Sequence, residues 1–244
     1  MPDKKPLIIN NLSFRYHIRE NFALKNINLS FQKGKIILIA GASGCGKTTL
    51  IRCINGLIPR SYKGEMIGQI ELNEKDISDM KLSDISQIVG TVLQDPERQI
   101  LGTKVINEVA FGLENLGFSR SVISQRIEEA LAHLRISDLC DRDTFSLSGG
   151  EKQKVALAGV LAMRPSILLL DEPLASLDPS SSEEALIMVR KLADEGMMVL
   201  LIEHRVEDVL KIKPERVIFI SNGEIKYDGI ADKLDQSINY HEVK

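Results

Sequence analysis

The stretch KIILIAGASGCGKTTLIRCINGL, residues 35–57, decides the reading of this chain. Its opening, Ile36 to Ala40, is a continuous apolar run of strand length, the pattern of a strand buried on both faces. A glycine-rich loop follows, and after it the apolar, helix-compatible segment Leu50 to Leu57. The loop GASGCGKTT, residues 41–49, satisfies G-x-x-x-x-G-K-[ST] through Gly41, Gly46, Lys47 and Thr48. Strand, loop and helix in that order are the context this motif requires. Its glycines let the backbone fold tightly, so that the amides running through Ala42, Ser43, Gly44 and Cys45 point inward around phosphate oxygens. The positive end of the following helix adds to that pull. Lys47 is then expected to reach the β- and γ-phosphates of a nucleoside triphosphate, and the Thr48 hydroxyl, beside Thr49, to ligate Mg²⁺. Cys45 sits where the backbone binds, and its thiol is expected to be incidental.

Upstream, Leu7 to Phe14 and Leu24 to Phe31 are short and β-rich, with Ile27, Leu29 and Phe31 alternating with polar residues as in half-buried antiparallel strands. Gly68 to Ile77 reads as a strand followed by a turn. Downstream, Val122, Ile123, Ile127, Ala130, Leu131 and Leu134 recur at helical spacing over 121–134. A second helix is expected from Glu151 to Met163, stopped by Pro165. Buried strands then return at Ile167 to Asp171, Met198 to Glu203 and Val217 to Ile220, with a helix from Ser182 to Asp194 between the first two. Strands alternating with helices imply a mainly parallel sheet, an α/β fold. The expected division is a core from about 1–94 and 165–244, including an N-terminal antiparallel β part, with a helical subdomain inserted at about 95–164.

Composition narrows the possibilities. The 244 residues are 43% hydrophobic and 27% charged, the balance of a globular protein with material for a core. Lys and Arg number 31 against 34 Asp and Glu, a net charge of -3. A chain that binds nucleic acid by neutralising phosphates usually carries a basic excess, so no nucleic-acid partner is expected. The three cysteines, Cys45, Cys53 and Cys140, lack CxxC spacing and read as reduced thiols. No apolar run approaches the roughly 20 residues of a membrane-spanning helix. If the protein acts at a membrane, a partner must hold it there.

Two further motifs carry chemistry. ILLLDEP, residues 167–173, ends a buried strand on Asp171 and Glu172. Asp171 is placed to hold Mg²⁺ and Glu172 to act as general base on an attacking water, a role worth about 10²–10⁴ in rate. LSGGE, residues 147–151, opens a helix with Ser148 as N-cap and exposes the amides of Gly149 and Gly150, a second anion site. It stands 20 residues before Asp171. A chain with two phosphate-binding helix starts per nucleotide can donate one of them to a neighbouring molecule.

With these residues in order, the chain resembles an ATP-binding cassette ATPase over essentially its whole length. The family's motifs fall on Tyr16 (the adenine-stacking aromatic), Gly41 to Thr49 (Walker A) and Gln94 (Q-loop). Leu147 to Glu151 match the signature, Asp171 and Glu172 Walker B, Ser176 to Asp178 the D-loop, and His204 the H-loop. The resemblance implies a P-loop NTPase fold and a head-to-tail dimer with two ATPs between subunits. Each ATP is then capped by the partner's signature, including Leu147, Ser148, Gly149, Gly150 and Glu151, and by the D-loop with Asp178. It further implies that Gln94 senses Mg²⁺ and water, that Thr48, Gln94 and Asp171 surround the metal, and that His204 contacts the γ-phosphate. His17, His133 and His241 match nothing and are expected to be solvated.

The segment QDPERQILGTKVINEVAFGLENLGFS, from Gln94, is similar to the ATPases of energy-coupling-factor importers, through Gln94, Pro96, Glu97, Gln99, Val105, Glu108, Phe111, Gly112, Glu114 and Asn115. NGLIPRSYKGEMIGQIEL looks like the N-terminal half of tandem ATPases of that group, as does IEHRVEDV, where other members often carry Asp after the histidine. This likeness implies a peripheral protein at the cytoplasmic face of the membrane, powering uptake of a vitamin, vitamin precursor or metal cation. Its implied partners are a second ATPase, identical or paralogous, a transmembrane scaffold and a membrane protein that binds the cargo. Gln99, Ile100 and Leu101 are expected either to meet the scaffold or to cover the helical subdomain. Only 40 residues follow His204, so the C-terminal pairing segment of many members is expected to be shortened or absent. Other transporter subgroups remain the alternative. A soluble cassette ATPase of the chromosome type does not fit, because the 53 residues between Gln94 and Ser148 leave no room for a long coiled coil. A small-molecule kinase fails on the signature.

Overall fold

The structure is a computed structural model that describes residues 6–175 and 177–233, apart from the side chain of residue 232. In chain order it runs β1 (Leu7–Tyr16), β2 (Leu24–Phe31), β3 (Ile36–Ala40), α1 (Lys47–Ile54), α2 (Leu57–Arg60), β4 (Gly64–Leu72) and β5 (Lys75–Asp76). Then come α3 (Leu82–Ile88), β6 (Val89–Val92), α4 (Pro96–Gln99), α5 (Val105–Asn115), α6 (Arg120–His133) and α7 (Gly149–Ala162). The chain finishes through β7 (Ile167–Asp171), α8 (Pro179–Asp194), β8 (Met198–Ile202), α9 (Val206–Leu210), β9 (Arg216–Ser221) and β10 (Glu224–Gly229).

Two sheets result. One is antiparallel, in the order β2-β1-β4-β5, and the other is six-stranded, in the order β10-β9-β3-β8-β7-β6. Within the second sheet every pairing is parallel except the β9–β10 hairpin. The expected mainly parallel sheet with an N-terminal antiparallel part is therefore what the chain forms. The strands β3, β7 and β8 are buried at every position, and the side-chain period of two divides them between two cores. Ile37, Ile39, Leu169 and Leu200 join the antiparallel sheet and α1, through Phe14, Phe31 and Leu50. Leu38, Leu168, Leu170 and Leu201 face the other way, onto Val109, Val155 and Leu186 of α5, α7 and α8. A run of five apolar residues is thus a strand with a core on each side, worth about 1.5–3 kcal/mol for each fully buried large side chain.

Helix boundaries differ slightly from the sequence reading. The helix expected over 121–134 runs Arg120–His133, and the one expected from Glu151 starts at Gly149. The helix expected from Ser182 begins three residues earlier, at Pro179. Asp178 caps it and Pro179 fills the first turn, where no N–H is needed, a stronger start signal than the apolar spacing that begins later. Of the three unmatched histidines, His17 is exposed and His241 lies outside the described residues. His133 is not solvated as expected. Its Nε2 is covered and lies 3.6 Å from Glu195 Oε2, because α6 packs against the end of α8 there.

Candidate functional site

Strand order brings the motifs together. β3, β8, β7 and β6 are neighbours, all parallel, so their C-terminal ends lie along one edge. The loop 41–46 leaves β3, Glu203 and His204 leave β8, Asp171 and Glu172 end β7, and Gln94 follows β6. Ligands of open parallel sheets collect at that edge.

In the glycine-rich loop, two glycines are there for want of space. A Cβ on Gly41 (φ +149°) would come within 2.2 Å of the Ile220 carbonyl and 2.8 Å of Cys45 Sγ. One on Gly46 (φ +118°) would come within 2.5 Å of the Ala23 carbonyl. The loop is pressed between β9 and the start of β2, which is why these two motif positions admit glycine only. Lys47 folds back onto this loop, with Nζ donating to the carbonyls of Gly41 at 2.7 Å and Ala42 at 2.9 Å. Cys45 is buried in the core beneath the loop. Burial pushes its thiol pKa up, partly offset by the nearby Lys47 charge. Its thiol is packing, in keeping with an incidental role in binding.

Thr48 Oγ1 stands 3.5 Å from Asp171 Oδ1. Desolvation raises the Asp171 pKa, the Thr48 hydrogen bond opposes that rise, and the neighbouring Glu172 charge adds to it. Such a buried acid favours an arriving cation over remaining alone. Glu172 adopts φ +51°, in the left-handed region that costs a non-glycine residue energy and is found where side-chain aim matters. Its carboxylate is held on both sides. Gln94 Nε2 donates to Oε2 at 2.9 Å, and His204 Nε2 lies 2.9 Å from Oε1. Tyr16 sits over the start of α1, with its hydroxyl 3.1 Å from Thr49 Oγ1 and its ring edge-on to Phe14 at 4.8 Å.

The signature is built differently. Ser148 and Glu151 form a capping box on α7, with the Ser148 amide donating to Glu151 Oε2 at 2.7 Å and the Glu151 amide to Ser148 Oγ at 3.3 Å. The helix therefore begins with the amides of Gly149 and Gly150 uncovered. Among the described residues no hydrogen bond, ion pair or ring contact joins 147–151 to the loop 41–49, so the structure does not bring these two motifs together within one chain. The Asp178 carboxylate is likewise spent on its own helix. It accepts from the amides of Ser180 and Ser181 and from Ser181 Oγ at 2.6 Å, hydrogen bonds that hold its pKa low. Ser176 lies outside the described residues.

Sequence reasoning missed Glu203 and Arg205. Glu203 is 2% exposed, and burial raises its pKa against the hydrogen bonds it accepts from the Leu174, Arg205 and His204 amides. An acid before the histidine and an arginine after it was the available signal. Part of the segment following Gln94 turns inward, while Glu97, Glu114 and Asn115 stay exposed. Gln99 accepts from the Leu93 amide and donates to the Thr91 carbonyl, Glu108 is buried and accepts from the amides of Leu101 and Gly102, and Ile100 packs on the core. Leu101, 68% exposed, and Phe111 point outward.

The family model described as ABC transporter matches residues 24–175. A protein named as an ABC transporter ATP-binding protein from Streptococcus agalactiae is 42% identical over 225 residues, covering 92% of this chain and 40% of that relative. One from Lactiplantibacillus plantarum is 44% identical over 216 residues, 88% of this chain and 38% of the relative. The chain thus spans about two-fifths of the length of the curated relatives it matches. Among solved structures, cbiO1 from Clostridium perfringens, part of the ABC transporter complex cbiONQ, superposes with a TM-score of 0.85 at 30% identity, over 96% of this chain and 91% of that one. A dimeric ATP-binding cassette in a post-hydrolysis state, bound to ADP and Pi, gives a TM-score of 0.78 at 26% identity over 92% of this chain and 98% of the other.

Proposed function

The chain belongs to the ABC transporter ATPase family, and on that premise we propose that it is the ATP-hydrolysing subunit of a membrane importer of the energy-coupling-factor type. The observation that carries the reading is the aim of Glu172, a carboxylate fixed by Gln94 and His204 beside Lys47, Thr48 and Asp171. Glu172 takes a proton from the attacking water, Lys47 leaves its two loop carbonyls for the β- and γ-phosphates, and His204 meets the γ-phosphate. Tyr16 stacks on adenine.

The donor set suits Mg²⁺. Thr48 at the start of α1 and Asp171 at the end of β7 supply hard oxygens 3.5 Å apart, Gln94 is tied to the adjacent Glu172, and among the described residues no group of three His, Cys, Asp or Glu forms a cage of its own. Mg²⁺ is usually held by one or two such groups together with phosphate oxygens. When bound, it neutralises phosphate charge during transfer.

The Gly149 and Gly150 amides, for which the described residues show no hydrogen-bond acceptor, support a head-to-tail dimer, in which Leu147 to Glu151 cap the partner's ATP. Asp178 then serves by shaping the start of α8, since its carboxylate is already engaged. No described helix is long and apolar enough to cross a membrane. In the proposed importer a membrane scaffold holds the protein at the cytoplasmic face, and the exposed Leu101 and Phe111 offer that scaffold an apolar contact. The likeness to a member of the cbiONQ complex supports the importer type. The cargo is then a vitamin, vitamin precursor or metal cation, selected by a separate membrane protein.

Purified protein is expected to hydrolyse ATP only with Mg²⁺ present. Affinity purification from detergent-solubilised native membranes, with mass spectrometry of the co-purifying chains, tests the rest. A scaffold with a small multi-span binding protein supports the proposal, whereas a pair of conventional permeases overturns the importer type and leaves the ATPase reading standing.

A further inference from the structure

The two residues after Glu172 carry three backbone polar groups, because proline has no N–H. Side chains from two other segments reach all three. Gln153 on α7 donates Nε2 to the Pro173 carbonyl. Glu203 accepts the Leu174 amide at 2.7 Å. Arg205 donates Nη1 to the Leu174 carbonyl at 3.3 Å and to Ser182 Oγ, in the first turn of α8, at 3.0 Å. Glu203 and Arg205 flank His204, so one three-residue loop grips the Leu174 backbone from both sides while its central residue touches Glu172. The second oxygen of Glu203 is taken by its own loop, from the amides of His204 at 3.0 Å and Arg205 at 3.4 Å. Arg205 is set in turn by Asp208 on α9, whose Oδ2 is 2.8 Å from Nε and 2.7 Å from Nη2. Lys211 holds the other Asp208 oxygen at 2.7 Å.

A strand or helix would fix 173–174 by backbone ladders that any sequence can make. Here side chains supply most of the hold, beside one backbone bond from the Leu177 amide to the Leu174 carbonyl at 3.3 Å. We propose that Arg205 is a positioning residue for hydrolysis: its guanidinium ties the loop bearing His204 to Leu174 and to Ser182, so that Glu172, His204 and the start of α8 keep one fixed relation. The proposal rests on Glu172 being the general base, as read above. Arginine suits the task because its planar fork donates in several directions at once, to Asp208 on one edge and to Leu174 and Ser182 on the other. Lysine is a point charge and cannot span both. A shift of α8, whose start lies beside the Asp178 face expected to meet a second subunit, is then carried to the catalytic carboxylate.

The test is steady-state ATP hydrolysis by the full chain, with nucleotide affinity measured separately by a fluorescent ATP analogue. Arg205→Met is expected to lower kcat by about tenfold, the scale of one lost charge-assisted hydrogen bond, with KM and analogue affinity essentially unchanged. Arg205→Lys is expected to recover part of the loss, and Ser182→Ala and Asp208→Asn to lower kcat by smaller factors in the same pattern. Should Arg205→Met fold poorly, the other three variants carry the test. An unchanged kcat in Arg205→Met overturns the proposal. So does a fall in kcat matched by lost analogue binding and no recovery with lysine, which marks a merely structural residue. Absence of Mg²⁺-dependent hydrolysis by the unaltered chain strikes the proposed function instead, so the two failures are distinguishable.

Discussion

At the C-terminal edge of the parallel sheet, the side chains proposed to be catalytic reach one another across neighbouring strands. Glu172 from β7 meets Gln94 from beyond β6 and His204 from beyond β8, while Lys47 covers the carbonyls of its own loop. At the start of α7 the side chains serve the helix that carries them. Ser148 and Glu151 close a capping box, Asp178 caps α8 next to it, and what faces outward is backbone. The first region places reactive groups that must be aimed, so it uses long side chains held from two directions. The second, under the proposed function, offers amides to a phosphate, so it uses side chains only to hold the helix end open. One region is thus sensitive to which functional group is present, and the other to whether anything obstructs the backbone.

The sharpest way to break that contrast is Glu172→Gln. The amide keeps the side chain's length and one acceptor oxygen but cannot take a proton, so turnover is expected to fall by about 10²–10⁴ while ATP still binds and traps a dimer. Single-turnover kinetics with gel filtration checks it, and unchanged turnover would remove Glu172 from the role of base. Next in size is Gly150→Asp, which sets a carboxylate at the exposed helix start, where a Cβ would lie 3.3 Å from Ser181 Oγ. Turnover is expected to drop by roughly 10²-fold, as when one anion-stabilising donor is lost, with unchanged ATP affinity in the isolated chain. Lost affinity there would mean that the signature serves its own nucleotide, against the proposed dimer. The smallest effect is Ser148→Ala. It removes a cap worth about 1 kcal/mol and should lower the melting temperature by about 2–4 °C, read by scanning calorimetry. A large loss of turnover at constant stability would show the Ser148 hydroxyl acting on phosphate directly.

Much of the fold and of the site was legible along the chain. Buried runs at Ile36 to Ala40, Ile167 to Leu170 and Met198 to Ile202 read as two-faced strands because few other elements bury four or five consecutive residues. The start of α8 was misplaced, since Asp178 was weighed only as a contact for a partner and not as the cap of its own helix. The segment after Gln94 shows a second limit of the same kind. Residues matched to a docking pattern, Gln99 and Glu108 among them, are engaged inside the chain, and Gly112 lies against the Met163 side chain, whose Sδ is 2.8 Å from where a Cβ would lie. A resemblance identifies such positions without saying which way they face.

The sequence by itself determined the glycine-rich loop, the acid pair that ends β7, the signature motif and the α/β class, because each depends on residue types at short, fixed spacing. Only the tertiary structure decided that Gln94 and His204 close on Glu172 and that Glu203 and Arg205 grip Leu174. These contacts join residues 29 to 78 positions apart along the chain, and they exist because β6, β7 and β8 lie side by side and end at one edge. Spacing along a chain encodes local geometry, whereas strand order, which sets the neighbours at that edge, emerges only when the sheet is assembled.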